Sequence, residues 1–296
     1  MPEQIRTTLA GQSDDLPGAA TAVTPVDSLS AAELENRRQS SPRGVSTGVD
    51  AERAGDPVDL RIIGNPVAIM QPYFLPYLGY FQVLAAVRTF VIYDDVQYIK
   101  GGWINRNRIL IQGRPHFITI PLEKASPNKR ILELNIAKTG RWRKKMHSAV
   151  QSAYGRAPHF HEVYPAIEDI IDDVHPRLAD FLENSLRRIS ALLGISTEVV
   201  KSSDLLPRDN LGGAERVLAI CKNLEATAYI NAIGGKLLYS PVTFQQSGVS
   251  LHFLKSATPE YRQHGNAYTP CLSIVDVLMF NGVEGTRKML NCFSLE

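Results

Sequence analysis

The sequence predicts an α/β fold with a partly parallel, Rossmann-like sheet and a helical insertion at about residues 139–195, preceded by a disordered leader at 1–63. Three observations lead there. Strand, helix and strand follow one another within about thirty residues from Val67, a βαβ unit that implies a parallel pair and a right-handed crossover. Strand and helix signals alternate again over the last third of the chain, as in sheets covered by helices. Composition changes abruptly near residue 60: the first 60 residues hold no Phe, Tyr, Trp or Lys, and all 23 aromatics of the 296-residue chain lie beyond.

The leader is rich in Ser, Ala, Gly, Pro and Asp and sets 5 Arg against 10 acidic residues, so it cannot bury enough apolar surface to offset the entropy of ordering it. The remainder reads as one α/β domain over 64–296. With 27 basic and 20 acidic residues in 61–296, its net charge is near +7 against +2 for the whole chain, an excess suited to an anionic small molecule. Nucleic-acid-binding domains usually carry more, and no helix-turn-helix, zinc-finger or RNP signature accompanies it. No apolar run approaches the ~18–20 residues of a bilayer span, and the first residues lack the basic and apolar regions of a secretion signal, so a cytoplasmic location is expected. Cys221, Cys271 and Cys292 are widely spaced without a C-x-x-C pair, which indicates buried thiols rather than disulfides or a zinc site.

Val67-Ala68-Ile69-Met70 is a short apolar run that reads as a buried strand. After the turn-like 71–76, residues Tyr77 to Val87 carry helical spacing, and Thr89-Phe90-Val91-Ile92-Tyr93 is a second strand rich in β-formers. Ile109–Ile111 and Phe117–Pro121, joined by a turn at Gln112–Pro115, read as a hairpin. Helical signals fill the insertion at Arg141–Lys145, Val163–Ile171 and Leu178–Leu193, where Gly194 supplies a stop. Strands at Val199-Val200 and Ala228–Ile230 alternate with helices at Ala214–Leu224 and Ile274–Phe280.

Ligands of open α/β sheets bind at the carboxyl ends of the strands, so the loops after Met70, Tyr93 and Ile230 are the places to look. Gln71 to Tyr80 is crowded with prolines and aromatics, Gly79 permits close backbone approach, and the helix start offers N–H groups to an anion. The alternative is a loop that packs the helix on the sheet. Asp94 and Asp95 end the second strand, followed by Lys100, the pair Gly101-Gly102, Trp103, Asn105, Arg106 and Arg108. That set has acid–base and anion-gripping capacity, with Trp103 able to stack on a sugar or base ring; the alternative is an aspartate cap with a solvated loop. On an extended chain adjacent residues point opposite ways, so only one of Asp94 and Asp95 is expected to face the site. Gly234-Gly235-Lys236 follows the third strand; it suits phosphate or carboxylate but lacks P-loop spacing. His159 and His161 have no third ligand at useful spacing, and no G-x-S-x-G elbow or Cys/His pairing occurs. Neither a metal, nor a cofactor, nor a covalent nucleophile is expected.

The segments AIMQPYFLPYLGYFQVLAAVRTFVIYDDVQYIKGGWINRNRIL, HFITIPL, AYINAIGGKLLYSP and PCLSIVDVLMFNG together resemble the WbqC-like family of bacterial proteins from Val67 to about Phe293. The resemblance implies a biosynthetic setting: O-antigen and other surface polysaccharides, or natural products. It implies a transferase acting on an activated, nucleotide-linked amino sugar, by acyl or aminoacyl transfer to the amine. Asp94 or Asp95 would then be general base, Lys100, Arg106 and Lys236 anion clamps, and Tyr73, Tyr77 and Trp103 the pocket lining. A non-catalytic sugar-nucleotide-binding partner subunit and an acyltransferase using aminoacyl-tRNA are the alternatives. The P-x-F-x-P-Y-L-G-Y segment is also similar to the strand–loop–helix of HIGH-type nucleotidylyl transferases, with Tyr77 and Tyr80 in place of the two histidines. A phenol is neutral at pH 7 and cannot supply their charge, which argues against ordinary nucleotidylyl transfer.

Overall fold

A computed structural model describes residues 64–207, 211–265 and 267–296. The expectation of a disordered leader at 1–63 falls outside these residues.

The central strand β1 (Pro66–Met70) is buried along its whole length, as its uninterrupted apolar run requires. The chain then rises through α1 (Leu78–Ala85) and returns in β2 (Thr89–Ile92), parallel to β1 with Val67 beside Thr89 and Met70 beside Ile92. β3 (Arg106–Ile111) and β4 (Arg114–Thr119) form a separate two-stranded ribbon. Its turn is two residues, Gln112 and Gly113, both at positive φ (50° and 73°), as hairpin twist demands. The turn expected at Gln112–Pro115 is therefore too long: Arg114 and Pro115 already belong to β4, Pro115 facing Leu110. Small strands β5 (Leu122–Glu123) and β6 (Asn135–Ile136) pair next. Three helices follow, α2 (Arg141–Tyr154), α3 (Phe160–Ile171) and α4 (Leu178–Leu192), the last ended by Gly194 at φ 69°.

The chain re-enters the sheet through β7 (Glu198–Lys201), which leads into the short α5 (Ser202–Leu205), then α6 (Gly213–Asn223) and β8 (Ala228–Ala232). α7 (Pro241–Gln246), β9 (Ser250–Ser256), α8 (Ile274–Met289) and β10 (Phe293–Leu295) complete it. Sequence reasoning did not read α7, β9 or β10, because Ser250-Leu251-His252-Phe253-Leu254-Lys255-Ser256 shows neither clean alternation nor a run of β-formers. The final helix extends past the expected Phe280 and is broken at Gly282 (φ 68°, ψ 178°), where a Cβ would come within 2.6 Å of His159 Nδ1.

The main sheet runs β7-β2-β1-β8-β9-β10. The first five are mutually parallel and β10 is antiparallel to β9. Taken in chain order, that is the strand sequence of a doubly wound Rossmann-type sheet. Ala68 and Met70 face a large core shared with α1, the insertion helices and α8, while Val67 and Ile69 face a smaller one under α6 and α7. The strand order reverses between β1 and β8, so the crevice for a ligand lies outside their carboxyl ends.

Candidate functional site

The loop after β1 is held from several sides. Asn107 Nδ2 donates to the carbonyls of Phe74 (3.1 Å) and Leu75 (2.7 Å), Ser273 Oγ donates to Leu75 O (2.7 Å), and Ile274 N donates to Pro76 O (2.8 Å). Leu75 sits at φ 42° and is wholly buried. A branched residue in the left-handed region is strained, and persists because these contacts over-determine it. Tyr73 is 7% exposed, and Tyr80 lies in the core, where its hydroxyl donates to Gln71 O at 3.0 Å. Burial, with Tyr73 and Tyr77 nearby, pushes the Tyr80 phenol well above its ordinary pKa, so it stays neutral.

At the switch point the loop comes against the ends of the neighbouring strands. A Cβ on Gly79 would lie 2.5 Å from the Tyr77 ring and 3.3 Å from Ser256 Cβ at the end of β9. Glycine there lets the Tyr77 ring lie across the start of α1. Gly234 and Gly235 form a single 3-10 turn after β8, and a Cβ on Gly235 would meet Asn231 Nδ2 at 2.4 Å. Close packing on Asn231 thus accounts for this glycine. Lys236 Nζ donates to Glu296 Oε2 at 2.8 Å, with Lys255 on the other oxygen at 3.8 Å. Gln71 stands at the carboxyl end of β1, and its Oε1 is buried without a hydrogen-bond partner.

The second predicted cluster divides. Asp94 and Asp95 are both buried, at 1% and 2% exposure, and both reach Ser202 Oγ, at 3.1 and 2.6 Å. The expected opposite orientation fails because extended backbone ends at Ile92 and the chain bends beyond it. Asp94 also accepts from Ser203 N (3.1 Å) and Ser203 Oγ (2.7 Å), which caps the short α5 from the loop after β2. Burial lifts its pKa above the ordinary carboxylate value, with the serine hydrogen bonds acting in the other direction. Asp95 Oδ2 pairs with Arg216 Nη2 at 3.0 Å in an ion pair buried on both sides, and Arg216 also donates to the carbonyls of Leu206 and Pro207. As placed, the two carboxylates brace the end of β2; for either to take a proton from an acceptor, the Ser202–Ser203 turn must release it.

Lys100, Trp103 and Arg106 lie on the far side of Asn107, with the ribbon. Arg106 Nε donates to Gly102 O at 3.0 Å and its Nη2 to Gly101 O, so the Gly-Gly pair is a clamped turn rather than a hinge. Asn105 is buried, accepting from Tyr98 Oη (2.9 Å) and donating to Ile120 O (2.8 Å). Gln71, Tyr73, Tyr77 and Gly79 thus belong to the loop and helix start after β1, and Gly234 and Gly235 to the turn after the adjoining β8, whereas Lys100, Trp103 and Arg106 lie beside the ribbon.

Sequence reasoning missed a third feature. Asp276, wholly buried near the start of α8, accepts from Tyr154 Oη (2.9 Å), Tyr261 Oη (2.7 Å) and Gln263 Nε2 (2.7 Å). Burial raises its pKa despite those donors. It anchors the irregular stretch 257–273, which joins the end of β9 to α8. Its donors lie 13, 15 and 122 residues away in the chain, so no local pattern reveals it. Among the described residues no group of three or more His, Cys, Asp or Glu could hold a metal ion. No helix among them is long and apolar enough to cross a membrane. A cavity of about 130 Å³ lies elsewhere, between the ribbon turn and the end of α2, lined in part by Gln112, Gln151, Arg156 and His264.

The chain matches the WbqC-like protein family over residues 71–288, which takes in the crevice, the insertion and most of α8. It belongs to that family. The WbqC-like domain is also similar to the uncharacterized protein Rv1507c of Mycobacterium tuberculosis (strain ATCC 25618 / H37Rv), at 31% identity over 229 residues, covering 76% of this chain and 98% of that protein. No solved structure matches the chain.

Proposed function

We propose that this WbqC-like protein is a cytoplasmic transferase that modifies an activated amino sugar in surface-polysaccharide or natural-product biosynthesis, by acyl or aminoacyl transfer. The observation that carries the reading is the orphaned Gln71 Oε1 at the carboxyl end of β1, beside the switch in strand order and followed by a strained, rigid loop and a helix start. The half-buried Tyr77 ring suits a sugar or base ring, and backbone N–H groups at the start of α1 suit a phosphate. In the transfer, the sugar nitrogen attacks the acyl carbonyl, the bond to the carrier breaks, and the amine proton passes to a base. Asp94 is the base of this proposal, its raised pKa matching that task. Lys236 would hold the anion by exchanging Glu296 for it.

The closure of Asp94 and Asp95 by Ser202, Ser203 and Arg216 favours a second reading, a non-catalytic subunit that binds the sugar nucleotide for a neighbouring enzyme. Thermal unfolding of the full chain against nucleotide sugars, free nucleotides, acyl-CoAs and aminoacyl-tRNA separates them, since a specific ligand stabilises by mass action. A nucleotide sugar is expected to raise the midpoint, and Gly79→Ala, which displaces the Tyr77 ring, to remove that shift. No shift with any nucleotide sugar overturns both readings. Binding without product when sugar and donor are supplied leaves only the subunit, and an Asp94→Asn variant with intact turnover removes the base assignment.

A further inference from the structure

The modest charge of residues 61–296 conceals a strong asymmetry. Residues 100–145 hold twelve Lys and Arg against two Glu, a net of +10, which leaves the rest of 61–296 at −3. Average charge therefore understates how basic this part of the protein is. Arg130 is matched by Glu133 at 3.2 Å. Exposed Lys100 and Arg114 have no carboxylate within ion-pair distance among the described residues.

The ribbon at the centre of this segment carries an alternating stack of cations and rings. Arg108 faces Phe117 across the β3–β4 pairing. The Arg106 guanidinium lies 4.3 Å from the centre of the Phe117 ring, the Arg108 guanidinium 5.3 Å from Trp103, and the two rings are 6.0 Å apart and inclined by 35°. Phe117 is 48% exposed although large apolar side chains are normally covered. Arg106 spends Nε and Nη2 on the carbonyls of Gly102 and Gly101, and Arg108 Nη2 donates to Cys271 O, so the two guanidinium groups are held over the rings and add positive charge beside the exposed Phe117 face. Flat rings joined by phosphodiesters match that alternation; a lone anion uses none of the rings, and a helical duplex hides its bases.

We infer that the β3–β4 ribbon is a binding surface for single-stranded nucleic acid, bases stacking on Phe117 and the adjoining Trp103 while phosphates lie against Lys100 and Arg114, with Arg106 and Arg108 adding positive charge behind the rings. The surface is independent of the proposed transfer reaction, and binding is read without turnover. Phe117 and Arg114 lie outside the crevice, so failure here leaves the crevice reading standing and the reverse also holds.

Fluorescence anisotropy of the full-length protein with labelled RNA and DNA strands of about 20 nucleotides, their duplexes, and anionic phospholipid vesicles tests the inference, the strand length exceeding the ~4–16 nucleotides that such sites contact. Single strands are expected to bind more tightly than duplexes, with log affinity falling against log salt by about 0.7 for each phosphate neutralised. Phe117→Ala is expected to weaken strand binding by about five- to a hundredfold with the salt slope unchanged, and Arg114→Ala to reduce that slope by about 0.7. Both changes are at exposed positions, and an unchanged unfolding midpoint verifies that the fold is intact. Equal binding of duplex and strand, wild-type affinity in Phe117→Ala, no binding at about 50 mM salt, where electrostatic contacts are strongest, or binding of vesicles alone would each overturn it.

Discussion

Asp95 and Arg216 show how one ion pair can fix a loop. Both are buried and hydrogen-bonded to neighbouring groups, so neither charge can recover water if the other is lost. Asp95→Ala is expected to cost about 3–5 kcal/mol by stranding the guanidinium, read as a lower midpoint in urea unfolding. Asp276 behaves differently, because its neighbours are neutral donors. Its folded-state pKa is raised by burial above the unfolded value of about 3.9. The native state therefore holds the proton more tightly, and this contribution to stability is full below the unfolded pKa and lost as pH rises through the folded one. Stability measured from about pH 4 upward should fall over that window in the native protein and fall less in Asp276→Asn. An identical pH profile in the two proteins would show that Asp276 does not titrate there.

At the scale of elements, the β1–α1 loop is a rigid part rather than a flexible lid. Asn107 belongs to β3 yet satisfies two carbonyls of that loop, so the ribbon and the crevice share a single clamp. Asn107→Ala leaves Phe74 O without that donor, at about 1–3 kcal/mol, while Leu75 O keeps Ser273 Oγ. Chemical denaturation should show a loss of about 1–3 kcal/mol on that basis, and the strained Leu75 conformation, less tightly held, should relax. Faster hydrogen exchange at Phe74 and Leu75 than elsewhere in the domain would be the local signature; uniform exchange would count against the clamp. Sequence reasoning placed β1, α1 and β2 well because each is short and strongly patterned. It misjudged the hairpin turn because Pro115 reads as a turn residue until its edge-strand position is known.

For the whole molecule, the chain covers 98% of its relative while using 76% of its own length. Removal of residues 1–60 is expected to leave the unfolding midpoint unchanged, and a marked fall would show that the leader packs on the domain. The charge map acts at this scale too. A net of +10 over residues 100–145 against −3 for the rest of 61–296 makes the proposed ribbon surface salt-sensitive, whereas the proposed switch-point site would depend on short-range fit.

The sequence by itself determined the α/β class, the βαβ start, the insertion helices and the family. These follow from local periodicity, turn residues and contiguous motif, which each stretch of chain carries alone. Tertiary structure decided the strand order, hence the switch point between β1 and β8. It also decided that Asp94 and Asp95 are braced together, that Arg106 closes a turn, and that Asp276 is a buried hub. Partners such as Arg216, Ser202 and Tyr154 lie about a hundred residues away in the chain. No local pattern encodes which distant group will meet a polar side chain, and that meeting is what separates a reactive residue from a structural one.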